Sequence, residues 1–276
     1  MTYFGFLLRF LIIPILAFLI ITWWDNKNNK PTRGFQNGRA VWIGIVVHIF
    51  LAVAYTTPWD NYLVATGVWY YNPKLVTGIV LGYVPIEEYT FFVLETILAG
   101  LWWWFLIRRL SLTSSPSPNR RGEFRPSKPA RLIAFSVLLV AWIIFTAIFF
   151  SDNQPLTYLS ITLFWVLPAI FPQMLFGADI LWLHRRLVAL AILVPATYLS
   201  LMDIVALKDS IWSISPAQTS GILFFGILPL EEVVFFFVTN TLISFGLTLL
   251  LADESQARML EIKKVFERFS SQAPSN

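Results

Sequence analysis

Cysteine is absent from the 276 residues, which excludes disulfides, thiol nucleophiles, zinc–thiolate sites and iron–sulfur clusters. Charge is scarce: Asp, Glu, Lys and Arg make up 13% of the chain, about half of the roughly 25% usual in a soluble domain. Histidine occurs only at His48 and His184, too few for a histidine-built metal centre, so no metal is expected. No G-x-G-x-x-G run is present, and the glycine fingerprint of a dinucleotide-binding domain is missing with it. The net charge of +4 is spread over loops, which argues against nucleic acid as a partner.

What the chain has instead is hydrocarbon, with 57% of its residues hydrophobic. Several nearly uncharged runs reach the roughly 18 residues needed to cross lipid as a helix. Hydropathy predicts an all-α polytopic membrane protein with helices over 3–24, 40–56, 75–107, 131–150, 156–177, 187–203 and 217–251. The first has no basic leader or small-residue cleavage site and reads as a retained span. The third and seventh exceed a bilayer's needs, so Pro85 and Pro229 are expected to bend them. Arg and Lys gather after spans one, three, five and seven, which puts the N-terminus outside and the C-terminus in the cytoplasm. The Ser/Pro/Arg-rich stretch 111–131 reads as a flexible cytoplasmic linker. The tail from Asp253 reads equally well as an amphipathic surface helix or a solvated end.

The strongest signal is an internal repeat. Asp60, Trp69, Pro73 and Gly78 share their spacing with Asp203, Trp212, Pro216 and Gly221. After a one-residue insertion, Gly82, Pro85, Glu87, Glu88, Phe91 and Phe92 match Gly226, Pro229, Glu231, Glu232, Phe235 and Phe236. Thr96 aligns with Asn240 and Glu95 with Thr239, while Tyr3 and Pro14 align more weakly with Tyr158 and Pro168. The expected organisation is a three-helix repeat (1–110), a linker and linking helix (111–155), a second repeat (156–252) and a tail (253–276). An odd linking helix keeps the two repeats parallel, unlike the inverted repeats of many transporters.

Carboxylates inside lipid-spanning sequence cost roughly 2.5–3.5 kcal/mol or more each, so they normally face the bundle interior and mark function. Glu87 and Glu231 lie well inside their predicted spans, near the expected midplane. Glu88, Phe91 or Phe92, and Glu95 share one helical stripe, and Glu232, Phe235 or Phe236, and Thr239 form its counterpart. A carboxyl in an apolar site can act as a general acid, an ionised neighbour can accept a proton, and aromatic faces favour a cation between them. That set suits proton-initiated carbocation chemistry on an apolar substrate.

The duplicated P-[IL]-E-E-x-x-F-F motif on three-plus-three helices resembles the non-flavin lycopene cyclases. These comprise heterodimeric actinobacterial enzymes, single-chain archaeal forms and the cyclase half of fungal bifunctional enzymes. The resemblance runs from the first span to about Leu251 and, with both motif copies on one chain, is to the fused form, which needs no partner subunit. It implies a cofactor-independent, redox-neutral isomerisation of lycopene or another acyclic carotenoid to a β-ionone ring in a membrane, the plasma membrane of a prokaryote. It also implies Glu87, Glu88, Glu231 and Glu232 as catalytic residues, with Phe91, Phe92, Phe235, Phe236, Glu95 and Asn240 at the substrate and Pro85 and Pro229 shaping the helices.

Other residues carry plainer expectations. Arg9 snorkels to the surface or pairs with a buried Glu. His48 is a proton relay or a hydrogen-bonded structural residue, and His184 is solvated in a basic turn. Asp60 and Asp203, at the outer surface, cap helices or fix loops by default, with a role at the substrate mouth as the alternative, and Gly78 with Gly82 forms a small-residue helix contact. Three rival functions remain: a carotenoid hydratase, which quenches the same cation with water; a Glu-Glu intramembrane protease, for which the required Arg and His are missing; and a carotenoid-binding or transport protein.

Overall fold

The computed structural model describes residues 1–32, 34–110, 124 and 126–271. Seven of its helices are long and apolar enough to cross a membrane: α1 (Tyr3–Lys27), α2 (Arg39–Ala65), α3 (Ile86–Arg109), α4 (Lys128–Phe149), α5 (Gln154–Leu183), α6 (Arg185–Lys208) and α7 (Leu230–Leu251). The chain is thus an all-α polytopic membrane protein. A further helix, α8 (Asp253–Ser271), follows α7, so the tail is helical as far as it is described. Most of the linker expected at 111–131 lies outside the described residues.

Pro85 and Pro229 start helices rather than bend them. Each stands in extended conformation as the N-cap of α3 or α7, where its missing N–H leaves no intrahelical bond unmade. The residues before them, read from hydropathy as helix, instead turn back in two-strand hairpins. Strand β2 (Val80–Leu81) pairs with β3 (Val84–Pro85), and β5 (Leu223–Phe224) with β6 (Leu228–Pro229). Gly82 lies in the first of these turns and Gly78 just before its first strand, with φ of 70° and 82°, conformations that favour glycine; neither is part of a helix. Two longer strands, β1 (Trp69–Tyr71) and β4 (Trp212–Ile214), pair antiparallel and join the two halves at the same end of the bundle.

In the first half α3 packs against α1 and α2, and in the second α7 packs against α5 and α6. Across the halves α3 meets α6 and α7, and α7 meets α2. The linking helix α4 lies on α5 and has no buried residue. Lipid is as apolar as leucine, so close packing and interhelical hydrogen bonds must hold such a bundle. Trp103 Nε1 accordingly donates to Thr248 Oγ1 across α3 and α7 at 3.0 Å. Gly246 lets α7 approach α2: a Cβ there would fall 1.9 Å from His48 Nε2.

Two of the prolines inside the spans, Pro14 and Pro168, leave carbonyls that neighbouring helices satisfy. Pro14 has no N–H for the Phe10 carbonyl, and α1 relaxes into a π turn over Leu8–Ile12. Tyr198 on α6 donates to that carbonyl at 2.8 Å. Pro168, the counterpart in α5, frees the Phe164 carbonyl, which takes the Trp142 N–H of α4 at 3.0 Å.

At the basic end of the bundle, Asp25 holds Arg109 at 2.7 Å and Lys30 at 3.4 Å, while Asp179 holds both terminal nitrogens of Arg258. Asp25 and Asp179 stand at the offset that separates Pro14 from Pro168, a repeat match that hydropathy does not reveal. His184 is buried, not solvated, because α8 folds back and sets Glu254 at 3.1 Å from its Nε2. Arg9 is exposed and reaches the Met1 sulfur rather than a carboxylate.

Gly82 and Gly226 share φ near 70°, but a Cβ on Gly82 would meet Asn61 Oδ1 at 2.1 Å while one on Gly226 meets nothing. Asn61 Oδ1 accepts the Tyr83 N–H at 2.7 Å. Gly226→Ala is expected to cost about 1–2 kcal/mol for the left-handed backbone, and Gly82→Ala distinctly more. Thermal unfolding in detergent checks this through the larger drop in Tm for Gly82→Ala; equal drops would mean that Asn61 yields freely.

Candidate active site

Glu87–Glu88 and Glu231–Glu232 occupy the first turns of α3 and α7. They therefore sit near one end of the bundle, not at the midplane expected when those helices were read as starting a dozen residues earlier. Consecutive helical residues diverge by about 100°, and each pair splits accordingly. Glu87 turns back over its own hairpin and accepts the Thr77 backbone N–H at 2.6 Å; Glu231 accepts that of Ser220 at 2.7 Å. Both are fully buried and tie the preceding loop to the helix start.

The second glutamates turn inward. Tyr3, at the start of α1, donates its phenol to Glu88 Oε2 at 2.5 Å. Tyr158, at the start of α5, donates to Glu232 Oε1 at 2.8 Å. The equivalence of Tyr3 and Tyr158 is visible in the repeat, but nothing in the sequence alone assigns the two phenols to the glutamates.

Asp60 and Asp203 also belong to this centre. They were expected at the outer surface because α2 and α6 were read as ending near them; both helices continue, to Ala65 and Lys208, and both aspartates are 0% exposed. Trp212 Nε1 donates to Asp203 Oδ1 at 2.9 Å. Asp60 has no hydrogen-bond partner among the described residues at either oxygen, and Trp69 Nε1, the counterpart of Trp212, has none either. The two half-sites thus match at the glutamates and differ one shell further out.

Aromatic rings close the space between the halves. Glu88, Glu232 and Asp203 share a cavity of about 20 Å³ with Phe91, Phe235 and Phe236, room for about one water molecule. Trp69 stands edge-on to both Tyr158 and Phe235, and Trp59 stacks on Phe235 at 5.3 Å. Tyr71, in β1, lines the same cavity; burial pushes its phenol well above the usual range, and the neighbouring Asp60 and Glu88 charges add to the shift. It stays protonated and available as a donor.

Glu95 and Phe92 lie elsewhere. Glu95 Oε1 accepts from Thr239 Oγ1 at 2.9 Å and from Asn240 Nδ2 at 3.3 Å. The residue that departs from the repeat is thus bonded to its own counterpart across the halves. Glu95, Phe92 and Thr239 border a separate, larger cavity of about 340 Å³. His48, on the same wall, has Nδ1 at 2.7 Å from the Gly44 carbonyl, which fits a structural role. Among the described residues no cluster of His, Asp and Glu is arranged to hold a metal ion.

The chain is similar to a protein named lycopene beta-cyclase from Halobacterium salinarum, with 39% identity over 218 residues, 78% of this chain and 84% of the relative. It is also similar to bifunctional lycopene cyclase/phytoene synthases of Phaeosphaeria nodorum and Podospora anserina. Each is 34% identical, over 72% and 74% of this chain, and in each the match covers 34% of the relative's length. No family model and no solved structure matches.

The bonds of Glu231 generate a stability prediction. Glu231→Ala strips the part-buried Ser220 N–H of its acceptor and should cost about 1–3 kcal/mol, whereas Glu231→Gln keeps an amide oxygen there and should cost less. Thermal unfolding ranks the two, and proteolysis within 217–229 should accelerate in the alanine variant only.

Proposed function

The chain belongs to the lycopene β-cyclase family, and from that premise we propose that it closes the acyclic ends of lycopene into β-ionone rings at the Glu88–Glu232 centre. The observation that carries the site assignment is the matched pair of buried, tyrosine-bonded carboxyls facing one aromatic cavity, one from each half of the chain.

The chemistry needs one acid and one base. A protonated carboxyl of the pair delivers its proton to the terminal C=C of the polyene, leaving a tertiary cation. The nearer internal C=C attacks that cation, forming the ring bond and moving the positive charge onto the ring. The second carboxylate removes a ring proton, and the electrons of that C–H bond become the ring double bond. One proton enters and one leaves, so product and substrate are isomers and no electrons are exchanged. The rings of Phe91, Phe235, Phe236 and Trp69 face the charge while it is on carbon. Tyr3 and Tyr158 hold the carboxylates in place and stabilise whichever is ionised.

This reading divides the four glutamates named by the motif. Glu88 and Glu232 react, while Glu87 and Glu231 bear on catalysis by fixing the hairpins and helix starts behind them. Water capture would instead give a hydratase product; the tight aromatic enclosure favours proton loss. Both motif copies lie on one chain, which supports a site completed without a partner subunit. The two halves read as parallel repeats, supported by the shared end at which α3 and α7 begin. The clustering of Arg and Lys at the opposite end supports a cytoplasmic C-terminus and an outward N-terminus, in the plasma membrane of a prokaryotic cell.

Expression in a lycopene-accumulating bacterium, with chromatography and mass analysis of the pigments, tests the proposal. The expected product has lycopene's mass and a β-ring spectrum. Unchanged lycopene despite membrane insertion sinks the cyclase reading, and a gain of one water per end assigns a hydratase. Glu88→Gln and Glu232→Gln should each lower cyclisation by about 10²–10⁴, the range of general acid–base catalysis, with the protein still accumulating. Glu87→Gln and Glu231→Gln should lose less than tenfold.

A further inference from the structure

The centre around Glu88 and Glu232 has room for about one water molecule, so a carotenoid must be held mainly somewhere else. The larger cavity beside Glu95, about 340 Å³, is more than twice the roughly 150 Å³ apolar void known to stay dry and take up benzene. It lies one seven-residue step further along α3, about 10 Å from Glu88.

Its walls are mainly apolar. Leu51, Ala52, Phe92, Ala169, Leu242 and Ile243 supply hydrocarbon. Most polar atoms among them are turned onto protein partners. Tyr55 donates to the Trp165 carbonyl at 2.6 Å, Thr56 to that of Ala52 at 2.6 Å, and Thr96 to that of Phe92 at 2.8 Å. Glu95 is occupied by Thr239 and Asn240. The Gln173 side-chain oxygen has no partner, and among the described residues the bonds of Glu95 and His48 engage Oε1 and Nδ1, leaving Glu95 Oε2 and His48 Nε2 as the other polar atoms of the wall. A chamber walled mainly by hydrocarbon, with few polar atoms left over, offers a ligand chiefly dispersion contact.

It also has an opening. Helices α2 and α5 are pinned together by reciprocal bonds, Tyr55 to the Trp165 carbonyl and Trp165 Nε1 to the Tyr55 carbonyl at 2.9 Å. Towards the basic end from that clamp, Leu51 on α2 and Pro172 on α5 border the cavity and are exposed on the lipid-facing side. The rings of Phe91 and Phe92, 6.0 Å apart and edge-on, separate the chamber from the carboxylate centre.

We propose that this chamber seats the conjugated hydrocarbon arm of the substrate next to its reacting end, and that the arm enters from the bilayer through the α2–α5 cleft below the Tyr55–Trp165 clamp. The proposal rests on the cyclase reading and adds a second, non-reacting site to it. A linear polyene fits because it is apolar along its length, dissolves in the lipid at the opening and needs no hydrogen bond from the wall. Glu95 then serves as the polar pin joining α3 to α7 at the chamber rather than as a proton donor.

Ala169→Phe fills the chamber without touching Glu88, Glu232 or the residues around them. Purified protein in lipid vesicles carrying graded amounts of lycopene is the system to assay. The initial rate at limiting lycopene should fall at least tenfold in the variant, with Tm unchanged or raised, because a filled void does not weaken the fold. An undiminished rate with a raised Tm would overturn the proposal and assign the chamber to an acyl chain of the bilayer. Should the phenylalanine variant fail to accumulate, Ala169→Val makes the smaller step with the same ordering of outcomes. Quenching of tryptophan fluorescence by lycopene separates this idea from the cyclase reading. If the wild-type protein converts nothing, the cyclase reading fails, but loss of quenching in Ala169→Phe still upholds the chamber and equal quenching removes it.

Discussion

A carboxyl group placed among lipid-spanning helices must be given a partner, and the Tyr3–Glu88 and Tyr158–Glu232 hydrogen bonds meet that demand. Each joins the first helix of a half to its third helix near the same end, so it fixes both the bundle and the centre. The bond is neutral on the tyrosine side, which matters. An arginine partner would favour the ionised carboxylate, and it is arginine that pairs with Asp179 and Asp25 at the other end. A phenol leaves both protonation states accessible, which proton-transfer chemistry requires. The chain therefore divides its buried acids by end: those paired with arginine hold helices, and those paired with tyrosine face the aromatic cavity.

The same logic of partnering governs the backbone. Lipid offers no hydrogen bonds, so a carbonyl orphaned by a proline is stabilised by a donor inside the protein. Tyr198 and Trp142 supply those donors for Phe10 and Phe164. The prolines at 85 and 229 avoid the problem by standing where no intrahelical N–H is needed. Their placement fixes where α3 and α7 begin, and hence the depth of all four motif glutamates.

Much of this was legible in the sequence, because hydropathy and repetition are local signals. The seven spans, the duplicated Glu-Glu motif and the family resemblance all come from counting residues along the chain. What was missed depended on where helices start and stop. The hairpins before Pro85 and Pro229 consist of apolar residues such as Val80, Leu81, Leu223 and Phe224, which hydropathy cannot tell from helix. That single error displaced Glu87 and Glu231 towards the midplane and turned Gly78 and Gly82 into a helix contact. The opposite error, ending α2 and α6 too early, put Asp60 and Asp203 on the surface when they are buried beside the glutamates. His184 was misplaced because a tail helix folding back over it has no periodic signature at the histidine itself.

Duplication explains why the centre has two of each part, yet an acid and a base must differ. The phenol–carboxylate pairs do not distinguish the halves; their surroundings do. Trp212 bonds to Asp203, whereas Trp69 and Asp60 make no such bond. Seven residues along α3, Glu95 faces Thr239 where an exact repeat would face like with like. Two glutamates there would set two buried carboxylates against each other, a repulsive pair in a medium of low dielectric constant. Replacing one by threonine converts that repulsion into a hydrogen bond and makes the two sides of the bundle unequal. The departure from the repeat at Glu95 thus favours close packing of the halves at that depth, and it leaves Glu88 and Glu232 in unlike surroundings.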